Sequence, residues 1–181
     1  MILLESSEGS NEVQILFCLE TNEKADTDWV YIHETIERFY VYRTDRLRPV
    51  YMETKMNLLQ PKVQKKIGRY TKEYKGETVV VVCTDTDCYD TDCMQKEDNE
   101  KINAFCNAHQ YKAIWFCRDI EEVYTGKRAA KKDKVDATEK FRKKRCIEQC
   151  SEKKLSQSAY AHGTSNILNV LNELLERKCV Y

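Results

Sequence analysis

Acidic side chains follow three of the four longest apolar runs in this chain, in a pattern typical of cation sites. Four acidic residues occupy these places: Glu20, Asp85, Asp87 and Asp119 each lie within four positions of the end of an apolar run. Carboxylates held together repel one another, which raises their pKa values, and a bound hard cation removes that penalty. Because Mg²⁺ prefers oxygen ligands, these acids predict a site for Mg²⁺ or Mn²⁺, and a solvated turn rich in helix-capping acids is the alternative for Asp85 and Asp87.

The elements that must position these acids alternate along the chain. Apolar runs predict buried strands at residues 13–19, 49–54, 78–83 and 111–117, and helical periodicity predicts helices at about 29–42, 58–74 and 97–109, with Asp28 as the N-cap of the first. This alternation predicts an α/β fold, a Rossmann-like parallel sheet of about four strands covered by helices. Strands of such a sheet end at one edge, so the acids should line a common crevice.

The last third of the chain differs in composition. Between Lys127 and Arg145 there are ten Lys or Arg residues and three Asp or Glu residues. We predict a basic helix over about 131–154, an amphipathic helix over about 165–178, and two domains, residues 1–126 and a basic helical C-terminal extension, 127–181. The candidate nucleic-acid-binding residues are Lys127, Arg128, Lys140, Arg142, Lys143, Lys144 and Arg145. A solvated helix paired with local acids explains the same pattern equally well.

Composition sets further bounds. The chain has 30 basic and 30 acidic residues in 181, so its net charge is no argument for nucleic acid. The nine cysteines are not spaced as a disulfide framework or a common zinc site, which favours the cytoplasm. No apolar run approaches the roughly 20 residues that span a bilayer, so no membrane partner is expected. Residues 1–10 are predicted to form no regular element and no signal peptide.

The order of the acids resembles the Toprim domain, the metal-binding module of topoisomerases, bacterial primases, recombination proteins and nucleases of the overcoming-lysogenization-defect (OLD) kind. In that family a Glu ends the first strand and an Asp-x-Asp ends the third. Here Ile-Leu-Phe-Cys-Leu-Glu20 and Val-Val-Val-Val-Cys-Thr-Asp85-Thr-Asp87 take those places. The resemblance covers about residues 12–122. The chain differs in having Thr21 where family members usually have Gly, and it looks most like small OLD-associated or RloB-like proteins of phage defence.

The resemblance implies a Mg²⁺-dependent nuclease that hydrolyses phosphodiester bonds of DNA or RNA as a defence effector. Glu20 would be a general acid/base or metal ligand, Asp85 and Asp87 would hold Mg²⁺, and Asp119 with Glu121 or Glu122 would supply a second site. A partner ATPase or a homo-oligomer would complete the system.

Two other functions fit the same residues. A non-catalytic Toprim-like module could bind nucleic acid or a partner protein through a degenerate site. An Asp-based phosphotransfer protein would use an aspartate after a strand as a nucleophile, although it explains Glu20 less well.

Overall fold

The computed structural model describes residues 13–179, and the prediction for residues 1–10 lies outside them. The strands are β1 (Val13–Leu19), β2 (Tyr40–Val41), β3 (Leu47–Tyr51), β4 (Glu77–Asp85), β5 (Lys112–Phe116) and β6 (Glu176–Arg177). The helices are α1 (Thr27–Phe39), α2 (Pro61–Glu73), α3 (Cys93–His109), α4 (Ile120–Thr125), α5 (Lys134–Lys143), α6 (Glu152–Leu155) and α7 (Ile167–Asn172). Short 3₁₀ turns lie at Thr44–Arg46, Lys55–Leu59, Lys131–Asp133 and Cys146–Gln149.

A four-stranded parallel sheet in the order β3-β1-β4-β5 forms the centre of the molecule, which confirms the predicted α/β fold class. The central strand β1 pairs with β3 on one side and β4 on the other, and Phe17 lies opposite both Pro49 and Val81. Proline cannot donate a hydrogen bond to a neighbouring strand, so it is tolerated at Pro49 because β3 is an edge strand.

Helices cover both faces of the sheet, as continuous apolar strands require. Ile15, Phe17 and Leu19 of β1 pack in one buried cluster with side chains of α1, α4, α5 and α7. Leu16 and Cys18 point the other way, into a second cluster with side chains of α2 and α3. Alternation along one strand therefore builds two cores, one on each face.

All three predicted helix starts differ from the structure, and α2 begins at Pro61, three residues later than predicted. α1 begins at Thr27 after Asp26, so Asp28 is not its N-cap but a buried residue of its first turn. α3 begins at Cys93, four residues earlier than predicted, because the carboxylate of Asp92 accepts hydrogen bonds from the backbone N–H groups of Met94 and Gln95. That capping satisfies donors which the start of a helix leaves unpaired.

The C-terminal third is more broken than predicted. In place of one helix over 131–154, the chain forms two short helices and two 3₁₀ turns, and Arg145 adopts a left-handed conformation between them. Phe141, Ile147 and Leu155 from these pieces are buried in the same cluster as the sheet face. The chain turns between these pieces, so that each of them buries its own apolar side chain in the cluster on this face of the sheet.

The predicted helix over 165–178 is also shorter. It ends at Asn172, and Glu176 and Arg177 form strand β6, which pairs antiparallel with β2. The backbone N–H of Lys178 donates to the carbonyl of Phe39 at 2.9 Å, so the C-terminal segment is tied to the end of α1.

Backbone hydrogen bonds join the loops at the carboxyl edge of the sheet. Met52 N donates to Leu19 O at 2.8 Å, and Thr86 N donates to Phe116 O at 2.9 Å. Asp87 N donates to Arg118 O at 2.9 Å, with both residues at positive φ. These bonds hold the segments after all four strands side by side, which fixes where the predicted acids can lie.

Candidate functional site

Glu20 and Asp85 form the centre of an acidic group at the carboxyl edge of the sheet. Glu20 directly follows β1 and Asp85 is the last residue of the neighbouring strand β4. The backbone N–H of Asp85 donates to Glu20 Oε1 at 2.8 Å, and Asp85 Oδ1 accepts from the backbone N–H of Ile120 at 2.9 Å. Both side chains are partly exposed, so a ligand can reach them.

Two further carboxylates, on Asp28 and Glu121, extend this group. Asp28 lies in the first turn of α1 and is 8% exposed, and Glu121 lies in the first turn of α4 and is 1% exposed. Their negative charges each raise the pKa of Asp85, which burial raises first. The backbone N–H of Thr21 bonds to Asp28, so a threonine here still lets the loop after β1 approach the site.

We define the acidic group as Glu20, Asp28, Asp85 and Glu121, and burial raises the pKa values of the first three of these carboxyl groups. Burial raises the pKa of Glu20 to about 7, against the lowering effect of Lys55 and of the Asp85 N–H. Burial and the charge of Glu121 raise the pKa of Asp28 to about 7, against the effect of Lys134. Groups with pKa values near neutrality can exchange protons at working pH, and such values concentrate at functional sites.

Asp87 is held apart from this group by a buried lysine. Lys55 is 5% exposed, and its Nζ donates to Asp87 Oδ2 at 2.6 Å, to Asp85 O at 2.9 Å and to Asn99 Oδ1 at 3.1 Å. Asn99 of α3 in turn donates to Thr86 O at 3.0 Å. Hydrogen bonds from Lys55 and Asn99 therefore fix the Asp85–Thr86–Asp87 segment, and the ammonium group of Lys55 offsets the charge of Asp87.

A second lysine reaches the acidic group from α5. Lys134 Nζ donates to Glu121 Oε2 at 2.9 Å, while the buried oxygen Glu121 Oε1 has no hydrogen-bond partner among the described residues. Burial acts to lower the pKa of Lys134, but the bond to Glu121 and the charges of Asp85 and Asp28 raise it overall. Lys134 therefore remains charged, and an unsatisfied carboxylate oxygen remains beside it.

The other predicted metal ligands behave differently. Asp119 caps α4 by accepting the backbone N–H of Glu122, and its second oxygen accepts from Arg128. Each oxygen of Asp119 therefore already accepts one hydrogen bond, which leaves fewer free lone pairs for a cation than at Glu20 or Asp85. Glu122 has a buried Oε2 without a partner among the described residues.

The predicted nucleic-acid-binding residues are all exposed, but most of them have acidic partners. Arg128 pairs with Asp119, and Arg142 pairs with Glu34 of α1. Lys143 pairs with Glu139, and Arg145 pairs with Glu148. Within the described residues, Lys127, Lys140 and Lys144 form no ion pair, so they are the stronger candidates for phosphate contacts.

Sequence reasoning does not find Asp28, Lys55, Asn99 and Lys134 as members of the site. The sequence context of Asp28 indicates a helix cap, and Lys55 lies in a short 3₁₀ turn that no apolar pattern marks. Lys134 is one of many charges in a basic segment. Only the chain path brings these residues to Glu20 and Asp85, so none carries a local sequence pattern that could have identified it.

Comparisons add no relative for this chain: no family model, curated protein or solved structure matches it. Within residues 13–179, no three His, Cys, Asp or Glu side chains already converge as ligands of one metal ion. The same part of the chain contains no helix that is long and apolar enough to cross a membrane.

Proposed function

We propose that this protein is a Mg²⁺-dependent nuclease that hydrolyses phosphodiester bonds of DNA or RNA at the acidic group. The observation that carries the proposal is the gathering of four carboxylates around one strand end, where burial and mutual repulsion raise the pKa values of Glu20, Asp28 and Asp85. Two lysines offset only part of that charge. A divalent cation would offset the rest and favour the ionised form of all four groups.

The donor atoms are of the kind that a hard cation prefers, but within residues 13–179 the side chains would have to move closer together to bind one ion. Their donors are carboxylate oxygens, and Glu121 Oε1 is a buried oxygen without a partner among the described residues. Glu20 and Asp85 each use one oxygen for a backbone N–H, which leaves the other for a cation. When bound, Mg²⁺ supplies charge stabilisation at a phosphoryl oxygen and lowers the pKa of a water ligand.

The protein's own groups would handle substrate and protons. Glu20 would either bind the cation or accept a proton from a nucleophilic water, and its pKa, raised to about 7 by burial in the metal-free protein, suits the second role. Lys134, held charged beside Glu121, can stabilise negative charge on a phosphoryl oxygen that approaches the group. Lys55 does not face substrate but fixes the Asp85–Asp87 segment, so it acts as a positioning residue.

Cleavage with matched variants tests the proposal. Wild-type protein with 5′-labelled single-stranded DNA, RNA and plasmid in Mg²⁺ or Mn²⁺ should release shorter products, and EDTA should stop the reaction. Asp85→Asn should reduce the rate by at least about 100-fold, as for the loss of one electrostatic group. Asp45→Asn, an exposed acid just before β3 at the opposite edge of the sheet, is the control. Equal rates for both variants would reject the proposal.

The Lys55–Asp87 pair favours a second candidate, an Asp-based phosphotransfer protein. A lysine at 2.6 Å from a partly exposed aspartate could stabilise an acyl phosphate on that carboxylate. Incubation with acetyl phosphate and Mg²⁺ separates the candidates. A phosphate adduct of +80 Da by mass spectrometry (roughly the mass of an added phosphoryl group), lost in Asp87→Asn, would support phosphotransfer. Metal-dependent cutting with no adduct would support the nuclease.

Cellular setting is part of the proposal. All nine cysteines are unpaired, as a reducing cytoplasm would keep them. A defence role, with a partner ATPase or a homo-oligomer controlling the nuclease, belongs to the same proposal. Co-purification from cells that express the neighbouring genes tests for such a partner.

A further inference from the structure

Three aromatic side chains, Trp115, Tyr160 and Tyr89, lie at the β5 edge of the sheet, and we call them the aromatic ladder. Tyr160 contacts Trp115 with ring centroids 4.9 Å apart and Tyr89 with centroids 5.1 Å apart, both edge to face. All three rings are partly exposed, whereas the aromatic side chains of the sheet core are buried. Because the rings are only partly covered, part of their surface is open to a ligand.

The ladder is connected directly to the proposed catalytic segment. Tyr89 is two residues beyond Asp87, and Trp115 lies opposite Thr84, the residue before Asp85, in the β4–β5 pairing. The hydroxyl of Tyr160 accepts a hydrogen bond from Asn103 of α3 at 3.4 Å, which places this ring over the edge strand. Because side chains alternate along these strands, Trp115 and Asp85 point to opposite faces of the sheet, and a strand bound along the ladder would cross the carboxyl edge near Arg118 to reach the acids.

Basic groups accompany the rings. His162 Nε2 lies 2.9 Å from Asp90 Oδ2, and Arg118 NH2 lies 4.0 Å from the same oxygen, so one acid lies between an imidazole and a guanidinium. Arg118 also has a buried Nε–H with no hydrogen-bond partner among the described residues. An arginine N–H group without a partner, close to these aromatic rings, could donate a hydrogen bond to a phosphate oxygen of a bound strand.

We infer that Trp115, Tyr160 and Tyr89 stack the bases of a single-stranded nucleic acid and lead its backbone past Arg118 to the acidic group. This inference rests on the proposed nuclease function and specifies its substrate class. Aromatic platforms suit single strands because every unpaired base has a free π-face, whereas duplex bases are stacked on each other. The recognition is of bases in general, without preference for one sequence.

Binding of short oligonucleotides tests the inference independently of cleavage. The probes are fluorescein-labelled 15-residue oligothymidylate and oligouridylate and the blunt 15-base-pair dT–dA duplex, followed by fluorescence anisotropy in Ca²⁺ buffer. Wild type should bind the single strands more tightly than the duplex. Tyr160→Leu should weaken single-strand binding by about 5- to 150-fold, the range for loss of one stacked base. Tyr160→Phe, which keeps the ring, should bind as wild type.

Controls keep the inference apart from the proposed function. Tyr42→Leu removes a partly exposed tyrosine that contacts His33 of α1, away from the ladder, and should leave affinity unchanged. Thermal unfolding shows whether Tyr160→Leu is folded, and Tyr89→Leu replaces it if not. Equal affinity for single strands and duplex, or unchanged binding in both ladder variants, would overturn the inference even if Mg²⁺-dependent cutting is observed. Ladder-dependent single-strand binding without any cutting would uphold it and reject the nuclease.

Discussion

At the scale of single residues, the acids at the site are defined by what compensates their charge. Glu121 has Lys134 and Asp87 has Lys55, while Asp28 has no lysine within hydrogen-bonding distance among the described residues. Uncompensated burial is costly for a carboxylate, so the group either binds a proton or needs a cation. The metal proposal and the raised pKa values are two consequences of the same arrangement.

Stability without metal should therefore fall as pH rises. The folded pKa values of Glu20 and Asp28, about 7, exceed the unfolded values near 4, so the folded state binds more protons between these limits. The free energy of unfolding is highest below about pH 4 for these groups and decreases until about pH 7. In EDTA, Asp28→Asn should raise Tm at pH 8 by at least about 2–4 °C, the shift for about 1 kcal/mol in a chain of this size.

Melting curves by circular dichroism at pH 5.5 and pH 8.0 check this. The exposed acid Asp45, whose pKa is lowered first by its hydrogen bond to Arg43, gives the control variant Asp45→Asn, which should not gain stability at pH 8. Added Mg²⁺ should raise the wild-type Tm more at pH 8.0 than at pH 5.5, because protons compete for the same oxygens. A Tm for Asp28→Asn below that of wild type at pH 8 would contradict the argument.

The Lys134–Glu121 pair predicts non-additive stability. Lys134→Met leaves the almost fully buried Glu121 charge without its partner and should cost about 3 kcal/mol, the lower end of the range for broken buried pairs, because Lys134 is itself partly exposed. Lys134→Met combined with Glu121→Leu should cost less than Lys134→Met alone. Urea unfolding measures each free energy, with Lys132→Met as an exposed control. A double variant less stable than both single variants would refute the reasoning.

At the scale of elements, the four strands of the parallel sheet were predictable from the sequence, whereas the short strands β2 and β6 and the paths of the connections were not. Val80, Val81 and Val82 sit in a run apolar at every position, and only a strand covered on both faces buries such a run. The position of Glu20 and Asp85 at the carboxyl edge could be inferred from that arrangement. The position of Lys55 could not, because its 3₁₀ turn lies in the connection between β3 and α2, which reaches the end of β4. Sequence periodicity does not specify the path of a connection.

The C-terminal third shows why a charge pattern misleads. Lys140 to Arg145 reads as one continuous helical surface, yet Phe141 must reach Tyr31 and Tyr124, and the helix ends at Lys143. A left-handed residue at Arg145 then turns the chain so that Ile147 also becomes buried. Burial of single apolar residues overrides the helix propensity of the charged residues around them. The local sequence does not show which tertiary contacts those apolar residues will make.

Phe141 should therefore support the whole fold rather than α5 alone. Phe141→Ala removes a ring that is 2% exposed and lies 4.8 Å from Tyr31, which should cost about 3–5 kcal/mol. If α5 belongs to the same cooperative unit as the sheet, far-ultraviolet and tryptophan signals should shift together to lower urea concentration. Val135→Ala on the exposed face of α5 is the control. Two separated transitions would show that residues after Gly126 fold as an independent unit.

At the scale of the whole molecule, equal numbers of acidic and basic residues make the placement of charge decisive. Acids gather at the carboxyl edge, and the exposed lysines without acidic partners among the described residues include Lys140 and Lys144 of the basic segment. A nuclease needs both features, since phosphates must be attracted close to a site that is itself negative. The aromatic ladder adds base contacts to this electrostatic arrangement.

Salt dependence of binding should separate unpaired from paired basic residues. Lys140→Gln with Lys144→Gln should reduce the slope of log K against log salt for single-stranded probes by about 1.4, at about 0.7 for each phosphate that is no longer neutralised. Lys143→Gln should change the slope less, because Lys143 Nζ already lies 3.0 Å from Glu139 and this acid offsets its charge.

Anisotropy titrations from 50 to 200 mM KCl (roughly a fourfold range, over which counterion release changes affinity strongly) measure the slopes. The reduction should be equal for thymidylate and mixed-sequence probes, since phosphate contacts do not read bases. An unchanged slope in the double variant would show that these lysines only keep the surface solvated, and would leave Arg118 and the ladder as the binding surface.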